Sequence, residues 1–259
     1  MTLNFTDSGG SGDAVVLVHA IGCDLRMWGA LEAALAPRLR VIRVDVRGHG
    51  ASLASPRPFT LDDLAEDVVG VLDRAGAARA HWVGLSLGGM IGQAFALRHP
   101  ARLDRLVIAN STSSYGPEGR GMWEARAQAV RAGGLAALKD LVLERYFSAA
   151  FRARHADVVE EFGRRFLRTP AEGYIACCEA IAGLDCAGRL GAIRAPTLVI
   201  AGGADAATPV AMSQAIAREI PGARLAIIPG AAHLSAVEDP AAFNTLVGDF
   251  LKAHPESSA

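Results

Sequence analysis

The stretch His81-Trp-Val-Gly-Leu-Ser-Leu-Gly-Gly-Met90 decides the fold of this chain. Its first half is apolar and partly β-branched, which is typical of a buried strand. After Ser86, apolar residues recur at helical spacing as far as Leu97. Residues 84–88 spell G-x-S-x-G, and between a strand and a helix this pattern predicts a tight elbow. The Ser86 hydroxyl would be exposed above a helix N-terminus, which is the geometry of a nucleophile.

Ser86 needs a base, because a serine hydroxyl is a weak nucleophile until its proton is removed. In folds built on this elbow, an acid follows the serine along the chain and the histidine comes last. The histidines after Ser86 are His99, His155, His233 and His254. His99 ends the elbow helix far from the elbow, His155 lies in a charged helical stretch, and His254 lies in a polar tail. His233 follows a predicted strand at 224–228 and is the predicted base, with a loop histidine of no role as the alternative.

Asp205 is the acid predicted to orient that base. It follows the apolar strand Pro196-Thr-Leu-Val-Ile-Ala201, in a loop that ends at Pro209. A turn or capping aspartate is the alternative interpretation. Related folds also place the acid after the preceding strand, where this chain has Asn110-Ser-Thr-Ser and no carboxylate. That absence favours Asp205.

Two backbone N–H groups are predicted to form the oxyanion hole. One belongs to Leu87, directly after the nucleophile, and the other to Ile21 in the loop His19-Ala-Ile-Gly-Cys-Asp24. This loop follows the first long predicted strand, at 14–18. Loss of one such donor from a hydrolase typically costs about a hundredfold or more in rate.

A polar turn follows the second predicted strand, at 40–45. Asp45, Arg47 and His49 stand together in it and could be mistaken for a second site. Support of the elbow is the interpretation that we favour. We interpret His19 in the same way, as a residue that orders its own loop.

Composition predicts one globular domain with an insertion. The chain has 259 residues, and the 51% that are hydrophobic argue against disorder. Its net charge of −1 argues against binding nucleic acid or anionic membranes. Its four cysteines show no zinc-binding or disulfide spacing and are expected to be buried reduced thiols. The N-terminus lacks a signal-peptide pattern, and no apolar stretch reaches membrane-spanning length. We therefore expect a cytoplasmic protein without a membrane or nucleic-acid partner; the oligomeric state stays open.

Strand and helix signals alternate from residue 14 to about 112 and again from 196, which predicts a mostly parallel sheet covered by helices on both faces. Between these parts the periodicity is helical, with candidate helices near 118–131, 134–146, 150–168 and 171–183. A helical block inserted between strands of a sheet predicts a lid over the ends of those strands. The predicted division is a core of residues 1–114 and 192–259, with a helical cap at 115–191. The short N-terminus predicts that one or both leading antiparallel strands are missing or reduced.

With these parts placed, the chain resembles the α/β-hydrolase family, and within it the 3-oxoadipate enol-lactonases. The core segments Gly22-Cys-Asp-Leu-Arg-Met-Trp28, Asp45-Val-Arg-Gly-His-Gly-Ala-Ser52 and Gly84-Leu-Ser-Leu-Gly-Gly-Met-Ile-Gly-Gln93 carry the wider likeness. The cap segments Trp123-Glu-Ala-Arg126, Arg145-Tyr-Phe147 and Gly173-Tyr-Ile-Ala-Cys-Cys178 resemble the narrower subfamily, as does Ala231-Ala-His-Leu-Ser235. One departure is His19-Ala-Ile-Gly22, where the family often has Asn-Ser-Leu-Gly.

The resemblance implies ring opening of the lactone through an acyl-enzyme on Ser86, with His233 as the base, Asp205 as its partner, and no metal or organic cofactor. The substrate carries a free carboxylate, and burying an unpaired anion is costly, so a cation of the cap should meet it. Arg126 beside Trp123 is the first candidate and Arg145 the second. A surface arginine, a structural ion pair and, for Trp123, a place in the cap core are the alternatives.

Two rival functions remain. A general carboxylesterase, or a lactonase for another ring, would have an apolar pocket without a cation. A non-catalytic binding protein on the same fold would tolerate a broken triad, whereas this triad is complete in the sequence. Dehalogenase chemistry is disfavoured because it needs a carboxylate nucleophile in place of Ser86.

Overall fold

The computed structural model describes residues 2–53 and 58–252. His254, assigned above to a polar tail, lies outside them, as do the ends of the predicted core. The strands are β1 (Phe5–Asp7), β2 (Ala14–Val18), β3 (Arg40–Val44), β4 (Ala80–Leu85), β5 (Leu103–Ala109), β6 (Thr197–Gly202) and β7 (Arg224–Ile228). They form one sheet in the order β1-β3-β2-β4-β5-β6-β7, in which β1 pairs antiparallel with β3 and the other pairs are parallel.

Helices connect and cover these strands. The α-helices are α1 (Gly29–Leu35), α2 (Leu61–Arg74), α3 (Leu87–Arg98), α4 (Gly116–Gly133), α5 (Lys139–Tyr146), α6 (Ala149–Arg154), α7 (Ala156–Arg168), α8 (Ala171–Ala182), α9 (Val210–Glu219), α10 (Ser235–Glu238) and α11 (Pro240–Lys252). Short 3-10 helices span Leu25–Trp28, Pro100–Arg102, Leu135–Leu138 and Leu190–Ala192. In the described parts of the chain, no helix combines the length and the apolar character needed to cross a membrane.

The central strands confirm the predicted mostly parallel sheet. Every residue of β2, β4 and β6 is buried, because helices cover both faces of a parallel sheet and leave no face for water. The predicted strand at 106–109 is longer than expected and begins at Leu103. Of the leading antiparallel strands, the three-residue β1 is present and pairs with β3 through Phe5 and Val44.

The segment between β5 and β6 is helical, and we call residues 115–191 the cap. Its boundaries stay a prediction, and α4 to α8 fall inside them. The expectation of one helix near 150–168 is wrong. The helix ends at Arg154, His155 leaves the helical region with φ −132° and ψ 48°, and a new helix starts at Ala156. Helical periodicity continues across such a break, so the sequence pattern did not reveal it.

Close backbone approaches seat the cap on two loops at the carboxyl ends of β2 and β3. Gly48, with φ +73°, lies so near Gly173 of α8 that a Cβ on either residue would collide with the other's backbone. A Cβ on Gly22 would strike the rings of Phe166 and Tyr174 from the cap. Glycine is required here because no side chain fits between cap and core.

Candidate active site

The elbow predicted at Ser86 has the expected strained geometry. Ser86 has φ 56° and ψ −113° between β4 and α3, a conformation that non-glycine residues rarely adopt. Its N–H donates to the Ala109 carbonyl at 2.9 Å. A Cβ on Gly84 would collide with the Gly88 carbonyl, and one on Gly88 would collide with the Val18 carbonyl. The two glycines therefore let the chain double back tightly enough to raise Ser86 above the helix N-terminus.

Asp205 and His233 come together from separate loops. The Asp205 Oδ2 atom lies 2.9 Å from His233 Nδ1, and both residues are buried. An ionised carboxylate only accepts hydrogen bonds, so the histidine proton lies on Nδ1. This tautomer leaves Nε2 unprotonated, which is the state that a general base requires.

Asp205 is held as an anion by several donors. Its Oδ1 accepts from the Ala207 and Thr208 N–H groups at 2.8 and 2.9 Å, and its Oδ2 accepts from Thr208 Oγ1 and Asn110 Nδ2 at 2.7 and 2.9 Å. Burial by itself raises the pKa of Asp205, but the electrostatic interaction with His233 and the hydrogen bonds from His233, Asn110 and Thr208 lower it to about 2. The carboxylate is therefore available to orient the imidazole over the whole neutral range.

Ser86 and His233 open into one narrow cavity between cap and core. Its walls are Ile21, Ser86, Tyr115, Met122, Trp123, Arg126, Arg145, Tyr146, Ala207 and His233. Among the described residues, Ser86 Oγ has no hydrogen-bond partner, so the serine and the histidine share the cavity without a direct hydrogen bond. Such bonds commonly tighten only when a substrate is bound.

Ile21 lines this cavity, and Leu87 follows Ser86 as the first residue of α3. Neither N–H donates to another backbone group among the residues that the structure describes. An oxyanion hole needs two free N–H groups near the reacting carbonyl. Their role stays a prediction.

The polar turn after β3 supports the loop that carries Ile21. The Gly22 N–H donates to His49 Nε2 at 2.9 Å, and the Val46 N–H donates to His19 Nε2 at 2.9 Å. Burial lowers the pKa of both imidazoles, that of His49 to about 3, so both rings are neutral acceptors. Asp45 accepts from the Leu25 N–H at 2.8 Å in the same network. The turn is structural, as the sequence predicts, but its hydrogen bonds brace the loop that carries Ile21 rather than the elbow.

The cap supplies the three predicted substrate contacts to the cavity wall. Arg126 Nε donates to Tyr174 Oη at 2.7 Å, and its guanidinium carbon lies 5.0 Å from the centre of the Trp123 ring. The Nη2 atom of Arg126 is buried and has no hydrogen-bond partner in the described structure. Arg145 is less enclosed, and its Nη1 lies 3.9 Å from Met122 Sδ. Arg126 is thus a cation of the cavity wall whose Nε is hydrogen-bonded and whose Nη2 is free to donate.

Sequence reasoning assigned no role to several residues of this site. The sequence pattern gives no function to Tyr115, Met122 or Tyr146, although all three line the cavity. At Asn110 the sequence shows only that no carboxylate follows β5, yet the Asn110 amide donates to Asp205 and its Oδ1 accepts from Ser235 Oγ at 2.5 Å. A polar residue directly after a buried strand was the signal that identified Asp205, and it applied equally to Asn110.

The cysteines and a second cleft lie apart from the candidate active site. The four cysteines are buried and unpaired, and burial raises the pKa of the Cys186 thiol to about 11, which keeps it protonated. In residues 2–53 and 58–252, no three His, Cys, Asp or Glu side chains are grouped as metal ligands. A wider, open cleft lies near the starts of β2, β4 and β5 and contains none of the predicted catalytic residues.

Comparison with known proteins shows similarity over most of the chain. Residues 13–240 match the family model described as alpha/beta hydrolase fold. A relative from Acinetobacter baylyi, named 3-oxoadipate enol-lactonase 2, is 36% identical over 239 residues, covering 92% of this chain and 88% of the relative. A second relative, from Variovorax paradoxus, is provisionally named carbamate hydrolase RutD. It is 36% identical over 244 residues, covering 93% of this chain and 92% of the relative.

A solved structure has the same architecture. The crystal structure of the enol-lactonase from Burkholderia xenovorans LB400 is 38% identical and has a TM-score of 0.93, over 97% of this chain and 96% of that one. Coverage this complete includes the cap as well as the sheet, so the likeness is not confined to the elbow.

Proposed function

The chain belongs to the alpha/beta hydrolase fold family, and on that premise we propose that it opens the ring of 3-oxoadipate enol-lactone to give 3-oxoadipate. It is a hydrolase that acts on ester or lactone bonds. One observation carries the finer proposal. The cavity that contains Ser86 and His233 also contains Arg126, whose buried Nη2 has an unused donor.

The proposed reaction begins at the lactone carbonyl. Ser86 Oγ attacks the carbonyl carbon as His233 Nε2 takes the hydroxyl proton, while Asp205 stabilises the imidazolium through Nδ1. The Ile21 and Leu87 N–H groups receive the tetrahedral oxyanion. Collapse breaks the bond between the acyl carbon and the ring oxygen, and His233 returns its proton to the departing enolate oxygen.

Ring opening yields an acyl-enzyme that carries an enol within its acyl chain, between the ester carbon and the free carboxylate. The enol becomes a ketone, which removes the group that could close the ring again. Water attacks the acyl carbon as His233 takes one of its protons, and the Ser86 oxygen leaves as a hydroxyl after receiving that proton. The products are 3-oxoadipate and the free enzyme, so each proton that His233 takes is returned.

Arg126 is proposed to bind the carboxylate at the far end of the substrate. Tyr174 occupies its Nε and the Trp123 ring lies beside it, so the guanidinium is fixed before substrate arrives. A buried cation without a counter-charge is unfavourable, and a substrate carboxylate would supply both the charge and the missing acceptor. Arg145, which is less enclosed, is the second candidate for this contact.

A matched pair of arginine variants tests the proposal. Arg126 and Arg131 lie on the same helix α4, but Arg131 pairs with Glu179 at the surface. We expect Arg126→Gln to lower kcat/KM for the enol-lactone about 30- to 100-fold, as loss of a charged hydrogen bond does, and to change turnover of p-nitrophenyl acetate less than about threefold. Arg131→Gln should leave both unchanged. A wild-type preference for the neutral ester, or equal losses on both substrates in Arg126→Gln, would reject the lactonase assignment.

A second candidate is a hydrolase of other esters, lactones or carbamates. The relative from Variovorax paradoxus favours it, because its identity to this chain equals that of the enol-lactonase relative. Adding a neutral lactone and an alkyl carbamate to the same assay separates the candidates. The highest kcat/KM on either would replace the proposed substrate while leaving Ser86, His233 and Asp205 in their roles.

A further inference from the structure

Tyr146 connects the cap to both halves of the proposed catalytic machinery. It is the last residue of α5, it is buried, and it lines the cavity beside Ser86 and His233. We infer that Tyr146 is a positioning residue that holds the turn around Ile21 and the ring of His233 in fixed places relative to each other. The inference rests on the proposed function only for the roles of Ser86, His233 and Ile21, and not for the identity of the ester or lactone.

The turn that carries the predicted oxyanion donor comprises Ala20, Ile21, Gly22 and Cys23. The Cys23 N–H donates to the Ala20 carbonyl at 3.1 Å, and Gly22 has φ +70°. Ile21 is not among the non-glycine residues with positive φ in the described structure, so the turn is of type II. Type I and type II turns differ by a flip of the central peptide, which here joins Ile21 to Gly22.

Two hydrogen bonds hold this central peptide at its two ends. The Tyr146 hydroxyl donates to the Ile21 carbonyl, and the Gly22 N–H donates to His49 Nε2 at 2.9 Å. The cap therefore holds the carbonyl and the core holds the N–H. A flip would break both bonds in a buried site, where unpaired polar groups are costly. The turn is thus locked, and the preceding Ile21 N–H keeps one orientation.

Tyr146 also fixes the base. Its ring stacks on the imidazole of His233, with ring centres 5.7 Å apart and planes inclined by 29°. Its carbonyl accepts the N–H of Leu234, the next residue in that loop, at 3.0 Å. Asp205 holds the edge of the imidazole and Tyr146 covers its face. Because burial raises the pKa of Tyr146 well above its ordinary value, the hydroxyl remains a donor throughout the neutral range.

This arrangement predicts an effect on kcat rather than on KM. Oxyanion donors act on charge that develops in the transition state, and their benefit depends on placement to within about half an ångström. A loosened turn would weaken stabilisation of the tetrahedral oxyanion while leaving the neutral ground-state ester bound as before.

Three variants test the role of Tyr146. Tyr146→Phe removes the hydroxyl and keeps the ring, Tyr146→Leu removes both, and Thr169→Val removes a buried cap hydroxyl that does not line the cavity. For each we would measure kcat and KM with p-nitrophenyl acetate, the melting temperature, and the inhibition constant of phenylboronic acid, which forms a tetrahedral anion on a serine oxygen. Ser86→Ala is assayed beside them.

Tyr146→Phe is expected to lose about tenfold or more in kcat and the same factor in boronic-acid affinity, with KM within about threefold. Tyr146→Leu should lose more, and Thr169→Val should lose neither. An unchanged kcat and inhibition constant in Tyr146→Phe would overturn the inference. So would losses that follow the melting temperature across all three variants, since these would mark a merely structural role. Full activity in Ser86→Ala would instead overturn the proposed nucleophile and the role of Tyr146 with it, whereas a poor rate on the enol-lactone alone would affect only the proposed substrate.

Discussion

The core and the cap meet at one cavity but are built on different principles. In the core, backbone geometry places the proposed reactive groups: Ser86 is raised by a strained turn, Asp205 follows the buried strand β6, and His233 follows the edge strand β7. In the cap, side chains on helices reach the cavity, such as Arg126 on α4 and Tyr146 on α5. We therefore propose that the core sets the reaction and that the cap sets which substrate is accepted and how firmly the core loops are held.

This difference makes the two regions respond differently to substitution. A backbone-determined site fails when a single atom is added or a reacting group is removed, because no neighbouring residue can replace it. A site built from side chains on helices changes more gradually, since each contact contributes a hydrogen bond or an ion pair of limited strength. The predictions below test the core against the cap, in order of decreasing effect.

The largest effect is expected from Ser86→Ala. Removal of the nucleophile should lower kcat for p-nitrophenyl acetate by about 10⁴-fold or more, because the first covalent step is lost. The melting temperature should change little, since the Ser86 side chain has no hydrogen-bond partner within the described chain. Residual turnover above about one per cent, with the protein folded, would place the chemistry elsewhere.

Asp205→Asn is expected to come next, with kcat lowered about 10³- to 10⁴-fold. The amide could donate to His233 Nδ1 and so stabilise the wrong tautomer, which leaves Nε2 protonated and unable to act as a base. Circular dichroism and the melting temperature serve as the controls for folding. Retention of more than a tenth of the wild-type kcat would show that the carboxylate does not orient the base.

Two glycine substitutions compare the regions directly. Gly88→Ala in α3 would drive a Cβ into the Val18 carbonyl, so we expect loss of activity and a stability loss of about 3 kcal/mol or more. Gly121→Ala in α4 meets nothing within 4 Å, so the cap variant should be about 0.5 to 1 kcal/mol more stable. Urea unfolding measures both. Similar free energies of unfolding for the two variants would contradict the contrast between core and cap.

The last effect concerns stability alone, develops gradually with pH, and leaves the proposed catalytic groups in place. Burial lowers the pKa of His49 from 6.5 to about 3, so the folded protein keeps this ring neutral while the unfolded chain takes up a proton. Stability is therefore fully present above about pH 6.5 and is lost as pH falls from there towards 3, by up to about 1.4 kcal/mol per pH unit for one such group. His49→Gln retains an acceptor for the Gly22 N–H and cannot titrate. Its melting temperature should fall less between pH 7 and pH 4, and parallel profiles for the two proteins would refute this account.

The parts of the site that could be predicted from sequence are those with local causes. The two glycines around Ser86 mark a turn that only they permit, and Asp205 and His233 each follow a recognisable apolar strand. Tyr146 had no comparable signal. It belongs to a cap helix whose pattern shows only that one face is buried, and its partners Ile21 and His233 lie 125 and 87 positions away in the chain.

The amino-acid sequence by itself determined the alternation of strands and helices, the elbow, and the order of the proposed nucleophile, acid and base. These features follow from hydrophobic periodicity and from backbone sterics, which act over a few neighbouring residues. Tertiary structure alone decided that the helix near 150–168 breaks at His155, that Asn110 binds Asp205, and that Tyr146 and His49 fix opposite ends of one peptide. The physical reason is that hydrogen bonds between distant segments depend on how helices pack against loops, and packing is not encoded in any short stretch of the chain.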